Sequence, residues 1–234
     1  MVKPVGFAIM AMLVLMAGSL ARAAAMRMLP ADPGAEIVYV ALGDSTVEGV
    51  GASTARNNYV GRLDTRLRER YPRARTVNLG VAGATSLDVL EAQLARAIAL
   101  QPHLVTLSIG PNDITGRVPS AAYAQNLDMI LARLASETPA VIVVNLLPDL
   151  AITPRFRNRD SAPVVGRLSV EFNGVVARMA KRHGALVVDL YRASRREVPR
   201  HPELLSADGY HPSDLGYARW AELMWDAVRT RIGS

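Results

Sequence analysis

A chain of 234 residues without a single cysteine excludes disulfides, thiolate metal sites, a Cys nucleophile and lipid attachment through an N-terminal Cys. Half of the residues are hydrophobic and only 5% aromatic, so the length suits one domain with a large aliphatic core. The formal charge of +6 is scattered over predicted helices and loops, with no basic stripe interleaved with aromatics. That pattern argues for an ordinary solvated basic surface and against nucleic-acid binding.

Residues 1–25 (MVKPVGFAIMAMLVLMAGSLARAAA) open with Lys3 and continue into an apolar run over 5–20. Small-residue cleavage sites follow at 21–23 and 23–25. This is the pattern of a secretory signal. The run is short against the ~20 residues of a membrane span, so cleavage is favoured over a retained anchor. A periplasmic or secreted product with no stable span after cleavage is the expectation. Residues 26–35 read as a Pro/Gly leader, and the domain is expected over 36–234.

Strand and helix patterns then alternate. Residues 36–42 (EIVYVAL) suit a buried strand and run into Gly43-Asp44-Ser45-Thr46. Residues 59–71 place Val60, Leu63 and Leu67 at helical spacing, and Pro72 ends that helix. A second strand is predicted over 75–79. A helix follows over 86–100, with Ser86 as N-cap and Leu87, Leu90, Leu94 and Ile98 on one face. Residues 104–109 (LVTLSI) form a third strand, followed by a helix over 121–136 with Leu127, Ile130, Leu131 and Leu134 inward. Residues 140–146 (AVIVVNL) are nearly all apolar, as in a strand covered on both faces. A helix within 164–183 stops at Gly184, a fifth strand spans 185–190, and Ser213 caps a last helix running to about 232. The alternation implies a parallel sheet with helices on both faces, an α/β fold. The longest irregular segment, 148–163, leaves the C-terminal end of the fourth strand. Its Arg155, Arg157 and Arg159 read as loop charges that could also meet an anion.

Ligands in such folds bind at the C-terminal edge of the sheet, where Ser45 stands. A serine hydroxyl is a poor nucleophile without a base. Of four histidines, His103, His183 and His201 read as structural or surface residues. His211 lies between the fifth strand and the last helix, in a loop that reaches the same edge, with Asp208 three residues before it. One turn brings that carboxylate to the imidazole, where it would fix the tautomer and leave the other ring nitrogen for Ser45. Oxyanion donors are on offer in two strand-end loops, 78–85 (NLGVAGAT) and 110–113 (GPND). In the second, Asp113 is expected to turn away from an oxyanion and support the loop.

GDS at 43–45, the glycine loop ending Gly83-Ala84-Thr85, GPND at 110–113 and DGYHP at 208–212 resemble, in order, the four blocks of the SGNH (GDSL-type) hydrolases. The likeness covers essentially the whole predicted domain, and Thr46 departs from the Leu of GDSL. The resemblance implies Ser45 as nucleophile, His211 as general base and Asp208 as its orienting partner. It implies oxyanion donors from the Ser45 and Gly83 N–H groups and the Asn112 amide, with Gly80 a competitor for the glycine role. It also implies a three-layer flavodoxin-like sandwich on a five-stranded parallel sheet in the order 2-1-3-4-5. Its lysophospholipase/thioesterase-like branch suggests small-molecule or lipid esters, thioesters or lysophospholipids as substrates, with no metal or cofactor. Acyl transfer or carbohydrate deacetylation on the same residues is the alternative, and a non-catalytic envelope-binding protein a lesser one. Nothing in the sequence sets an oligomeric state.

Overall fold

The computed structural model describes residues 26–233. Five strands, β1 (Val38–Gly43), β2 (Arg75–Asn78), β3 (Leu104–Ser108), β4 (Val141–Asn145) and β5 (Leu186–Val188), pair in parallel in the order β2-β1-β3-β4-β5. This is the implied order, and it places the topological switch between β1 and β3, where Gly43 pairs with Ser108. Side chains alternate across the sheet, as the two-residue period of a strand requires. Val40, Leu42, Val105, Leu107, Ile142 and Val144 enter one core, and Tyr39, Ala41, Leu104, Val141 and Val143 the other.

The helices divide accordingly. We number them α1 (Ser45–Glu48), α2 (Tyr59–Arg70), α3 (residues 86–99), α4 (Pro111–Thr115), α5 (Ser120–Glu137), α6 (Ala162–His183), α7 (Leu190–Glu197) and α8 (Asp214–Arg229). α3, α5 and α6 cover the first face, and α2 and α8 the second. β3 and β4 are buried throughout, so their uninterrupted apolar runs need no polar face. Among the described residues no helix is long and apolar enough to cross a membrane.

Three sequence expectations change. The N-cap of α3 is Thr85, not Ser86. The Thr85 hydroxyl accepts from the Asp88 N–H, and the Asp88 carboxylate accepts from the Thr85 N–H, a reciprocal pair that outcompetes a single cap. Of the expected inward stripe of α3, Leu90, Leu94 and Ile98 pack against the core and only Leu87 does not. Leu87 is 47% exposed, while Val89, Gln93, Leu94 and Ala97 are buried. Residues Val89–Gln93 are π-helical, and the extra residue in that turn rotates the face. The fifth strand is shorter than 185–190, because Asp189 caps α7, accepting from the Arg192 N–H at 2.8 Å. α7 was invisible to periodicity because it is arginine-rich and much of its inward face is the small pair Ala193 and Ser194.

The predicted signal at 1–25 lies outside the described residues. Residues 27–30 pack on the domain. Leu29 is buried and exchanges backbone hydrogen bonds with Arg231 and Gly233, and Pro30 accepts from the Tyr71 hydroxyl.

Candidate active site

β1 delivers Ser45 through a sharp turn. Gly43 has φ 143°, and a Cβ there would lie 1.9 Å from the Ser108 carbonyl oxygen, so no other residue lets β1 and β3 approach this closely. Asp44 then caps α1, its Oδ1 accepting from the Thr46 N–H and hydroxyl at 2.9 and 2.8 Å. Ser45 is the first residue of α1, and its N–H has no acceptor among the described residues. The Gly43 peptide is held from the side by a residue that sequence reasoning missed. Buried Gln93 accepts from the Gly43 N–H and donates to the Gly43 carbonyl, both at 2.9 Å. Gln93 ends the π-helical turn of α3, and as a polar residue it is not marked by an apolar period.

The loop 205–213 brings His211 to Ser45. The Ser45 Oγ lies 2.9 Å from His211 Nε2, and His211 Nδ1 lies 2.6 Å from Asp208 Oδ2. With the proton on Nδ1, donated to Asp208, Nε2 is left to accept from the serine hydroxyl. The Asp208 Oδ1 accepts from the Tyr210 and His211 N–H groups and the Ser206 hydroxyl, which locks the turn around the imidazole. Burial alone would raise the Asp208 carboxyl. The hydrogen bonds from the His211 ring and N–H, Ser206 and Tyr210 outweigh it and hold the group well below the ordinary carboxylate range. Tyr210 stands edge-on to the His211 ring at 5.0 Å and to Phe156 at 5.8 Å. Arg155 lies 4.9 Å over the Tyr210 ring, so the 148–163 segment does reach this edge.

The two donor loops meet beside α1. Val81 N–H donates to the Gly43 carbonyl, and Ala82 N–H to the Glu48 carboxylate. Of the two glycines, Gly80 spends its N–H on Asn78 Oδ1 and packs on Val47, where a Cβ would sit 2.6 Å from the valine Cβ. Gly83 has φ 83°, an N–H without an acceptor among the described residues and open space around its Cα. Asn112 donates one amide proton to the Ala84 carbonyl at 2.9 Å, which ties the two loops together and leaves its second without an acceptor among the described residues. Asp113 turns away as expected. It is fully buried and accepts from the Ser86 N–H and, at 2.6 Å, the Ser86 hydroxyl. His103, His183 and His201 pair with the Val38 N–H, Asp128 and Glu203, away from Ser45. Among the described residues no group of three or more His, Asp or Glu side chains is placed to hold a metal ion.

The sequence profile of the GDSL-like lipase/acylhydrolase family matches residues 41–219, from β1 through the His211 loop into α8. The chain belongs to this family. It is 29% identical over 200 residues to the GDSL-like esterase Rv1075c of Mycobacterium tuberculosis, covering 84% of this chain and 63% of that protein. The chain thus spans less than two thirds of that relative's length. It is 27% identical over 205 residues to an acetylxylan esterase of Geobacillus stearothermophilus, covering 81% of this chain and 91% of that one. The crystal structure of LAE5, an α/β hydrolase from the metagenome of Lake Arreo, Spain, aligns with a TM-score of 0.67 at 26% identity. That alignment covers 84% of this chain and 95% of LAE5.

In this GDSL-like hydrolase Asp44 is a buried carboxylate whose Oδ2 has no partner among the described residues. Burial pushes it up to about 6, against the Thr46 hydrogen bonds that favour its charged form. A carboxyl raised in the folded state binds its proton more tightly there than in the unfolded chain. Stability therefore falls as pH rises between about 4 and 6, and the cost is fully present above 6. Asp44→Asn keeps the Oδ1 acceptor and removes the charge. Urea unfolding should find the variant more stable at pH 7.5, by up to about 3 kcal/mol at ~1.4 kcal/mol per pH unit, with the difference shrinking at pH 4.5. A difference that does not change with pH would contradict this assignment.

Proposed function

We propose that the chain cleaves carboxylic esters through an acyl-enzyme on Ser45. The observation that carries this reading is the continuous chain of short contacts from Ser45 Oγ through His211 to Asp208. The Ser45 oxygen bonds to the ester carbonyl carbon as His211 Nε2 takes the hydroxyl proton. The carbonyl oxygen becomes an oxyanion that the Ser45 and Gly83 N–H groups and the Asn112 amide receive. Collapse breaks the bond to the leaving oxygen, which departs as an alcohol with the proton from Nε2. Water then attacks the acyl carbon and gives a proton to Nε2. The acid leaves, and the proton returns to Ser45. Asp208 stays ionised throughout and steadies the imidazolium.

The substrate class in this proposal is an acyl ester, thioester or lysophospholipid. The likeness to an acetylxylan esterase supports a second reading, deacetylation of a carbohydrate. A panel of p-nitrophenyl esters, an acetylated xylo-oligosaccharide and a lysophospholipid, with and without added alcohol, tests the proposal. Free acid should appear from the acyl esters. Acyl groups recovered on the alcohol would make it a transferase, and no turnover of any ester would refute it.

Export is part of the same proposal and rests on Lys3, the apolar run and the alanine-rich cleavage sites. N-terminal sequencing of protein from a periplasmic or culture fraction should place the mature terminus within a few residues of 23–26. Full-length protein confined to the cytosol would contradict it.

A further inference from the structure

A cavity of about 110 Å³ opens beside Ser45 and His211, touches Pro111 of one donor loop and extends toward the residues that follow β4 and β5. Leu147, Leu150 and Ile152 from the segment after β4 line it, as do Ala193 of α7 and Leu204. On the α8 side Gly216, Arg219, Trp220 and Leu223 line it. Its surface is almost wholly carbon. The Arg219 guanidinium meets Glu197 there in a two-pronged ion pair at 2.9 and 3.0 Å. Both of these side chains are partly exposed, so the pair stands between the cavity and solvent.

Neither Gly83 nor Asn112 lines this space. A carbonyl whose oxygen faces those donors therefore sends one of its other two substituents into the cavity. An apolar pocket that touches both Ser45 and His211 suits the part of the substrate that stays on Ser45 while the alcohol leaves and water enters. The small inward residues of α7 fit the same purpose, since a larger side chain at Ala193 would fill the space.

We infer that this cavity holds the acyl chain and selects linear aliphatic chains of about four carbons beyond the carbonyl. The inference rests on the acyl-enzyme reading above and narrows its substrate class. An apolar cavity of ~150 Å³ admits a six-carbon ring, so 110 Å³ accommodates about four carbons. Each buried methylene should raise kcat/KM about fourfold until the space is full.

The test is the chain-length profile of p-nitrophenyl esters from acetate to dodecanoate, read as kcat/KM relative to acetate, alongside a series of alkyl acetates of rising alcohol length. The profile should climb tenfold or more from acetate to pentanoate or hexanoate and fall by decanoate. Ala193→Leu should collapse that ratio at least tenfold, and Leu223→Ala should move the optimum to longer chains. A flat acyl profile, a profile both variants leave unchanged, or a climb confined to the alkyl acetates would overturn the cavity assignment while ester turnover persists. Failure of the acyl-enzyme reading looks different, because no ester in either series would then be turned over.

Discussion

Ser45→Ala is expected to lower kcat toward p-nitrophenyl esters by about 10⁴–10⁶-fold while the melting temperature stays within a few degrees of the wild type. Among the described residues the serine hydroxyl bonds only to His211, so its removal leaves a small gap and no stranded backbone group. His211→Ala should cost a similar factor, because without the imidazole nothing within reach takes the hydroxyl proton. The two groups act in one step, and the double variant should be little worse than either single one. Steady-state kinetics on the purified variants decide the matter. More than a tenth of wild-type activity in Ser45→Ala would remove Ser45 from the chemistry.

Asn112→Ala should show the next largest effect, about 10²–10³-fold in kcat with a much smaller change in KM. A donor that meets charge only in the transition state contributes nothing to substrate binding. The variant also loses the bond to the Ala84 carbonyl, which predicts a stability loss of about 1 kcal/mol beside the kinetic one. Asp113→Asn gives the opposite pattern. That carboxylate serves Ser86 in the core and touches no reacting atom, so stability should suffer more than turnover. An Asn112→Ala enzyme with unchanged kcat, or one whose only defect is a lower melting temperature, would leave Asn112 a loop tie.

Much of this arrangement is legible in the sequence. The β-branched runs at 36–42, 104–109 and 140–146 suit buried central strands, and the first two lead into Gly43 and Gly110 at the edge where Ser45 stands. Asp208 and His211 were readable because a carboxylate and an imidazole three residues apart across Gly209 meet in one turn. In α3 the expected face is met at Leu90, Leu94 and Ile98 but not at Leu87, and buried Gln93, whose amide holds Gly43, is a polar residue that an apolar period does not mark. α7 is hidden because it is arginine-rich and much of its inward face is the small pair Ala193 and Ser194, which line the cavity beside Ser45. Asp44 was in view as part of GDS, but its complete burial depends on how β1 and β3 converge, which no local pattern encodes.

The central claim is that Ser45 is the nucleophile, and a fluorophosphonate probes it most directly. Incubation of the purified protein with the reagent, proteolysis and mass spectrometry of the peptides should find one adduct per chain, on Ser45, formed in step with loss of ester hydrolysis. Labelling should slow in Asn112→Ala and vanish in Ser45→Ala. An adduct on another serine that tracks the loss of activity, or full inhibition with Ser45 unmodified, would contradict the account.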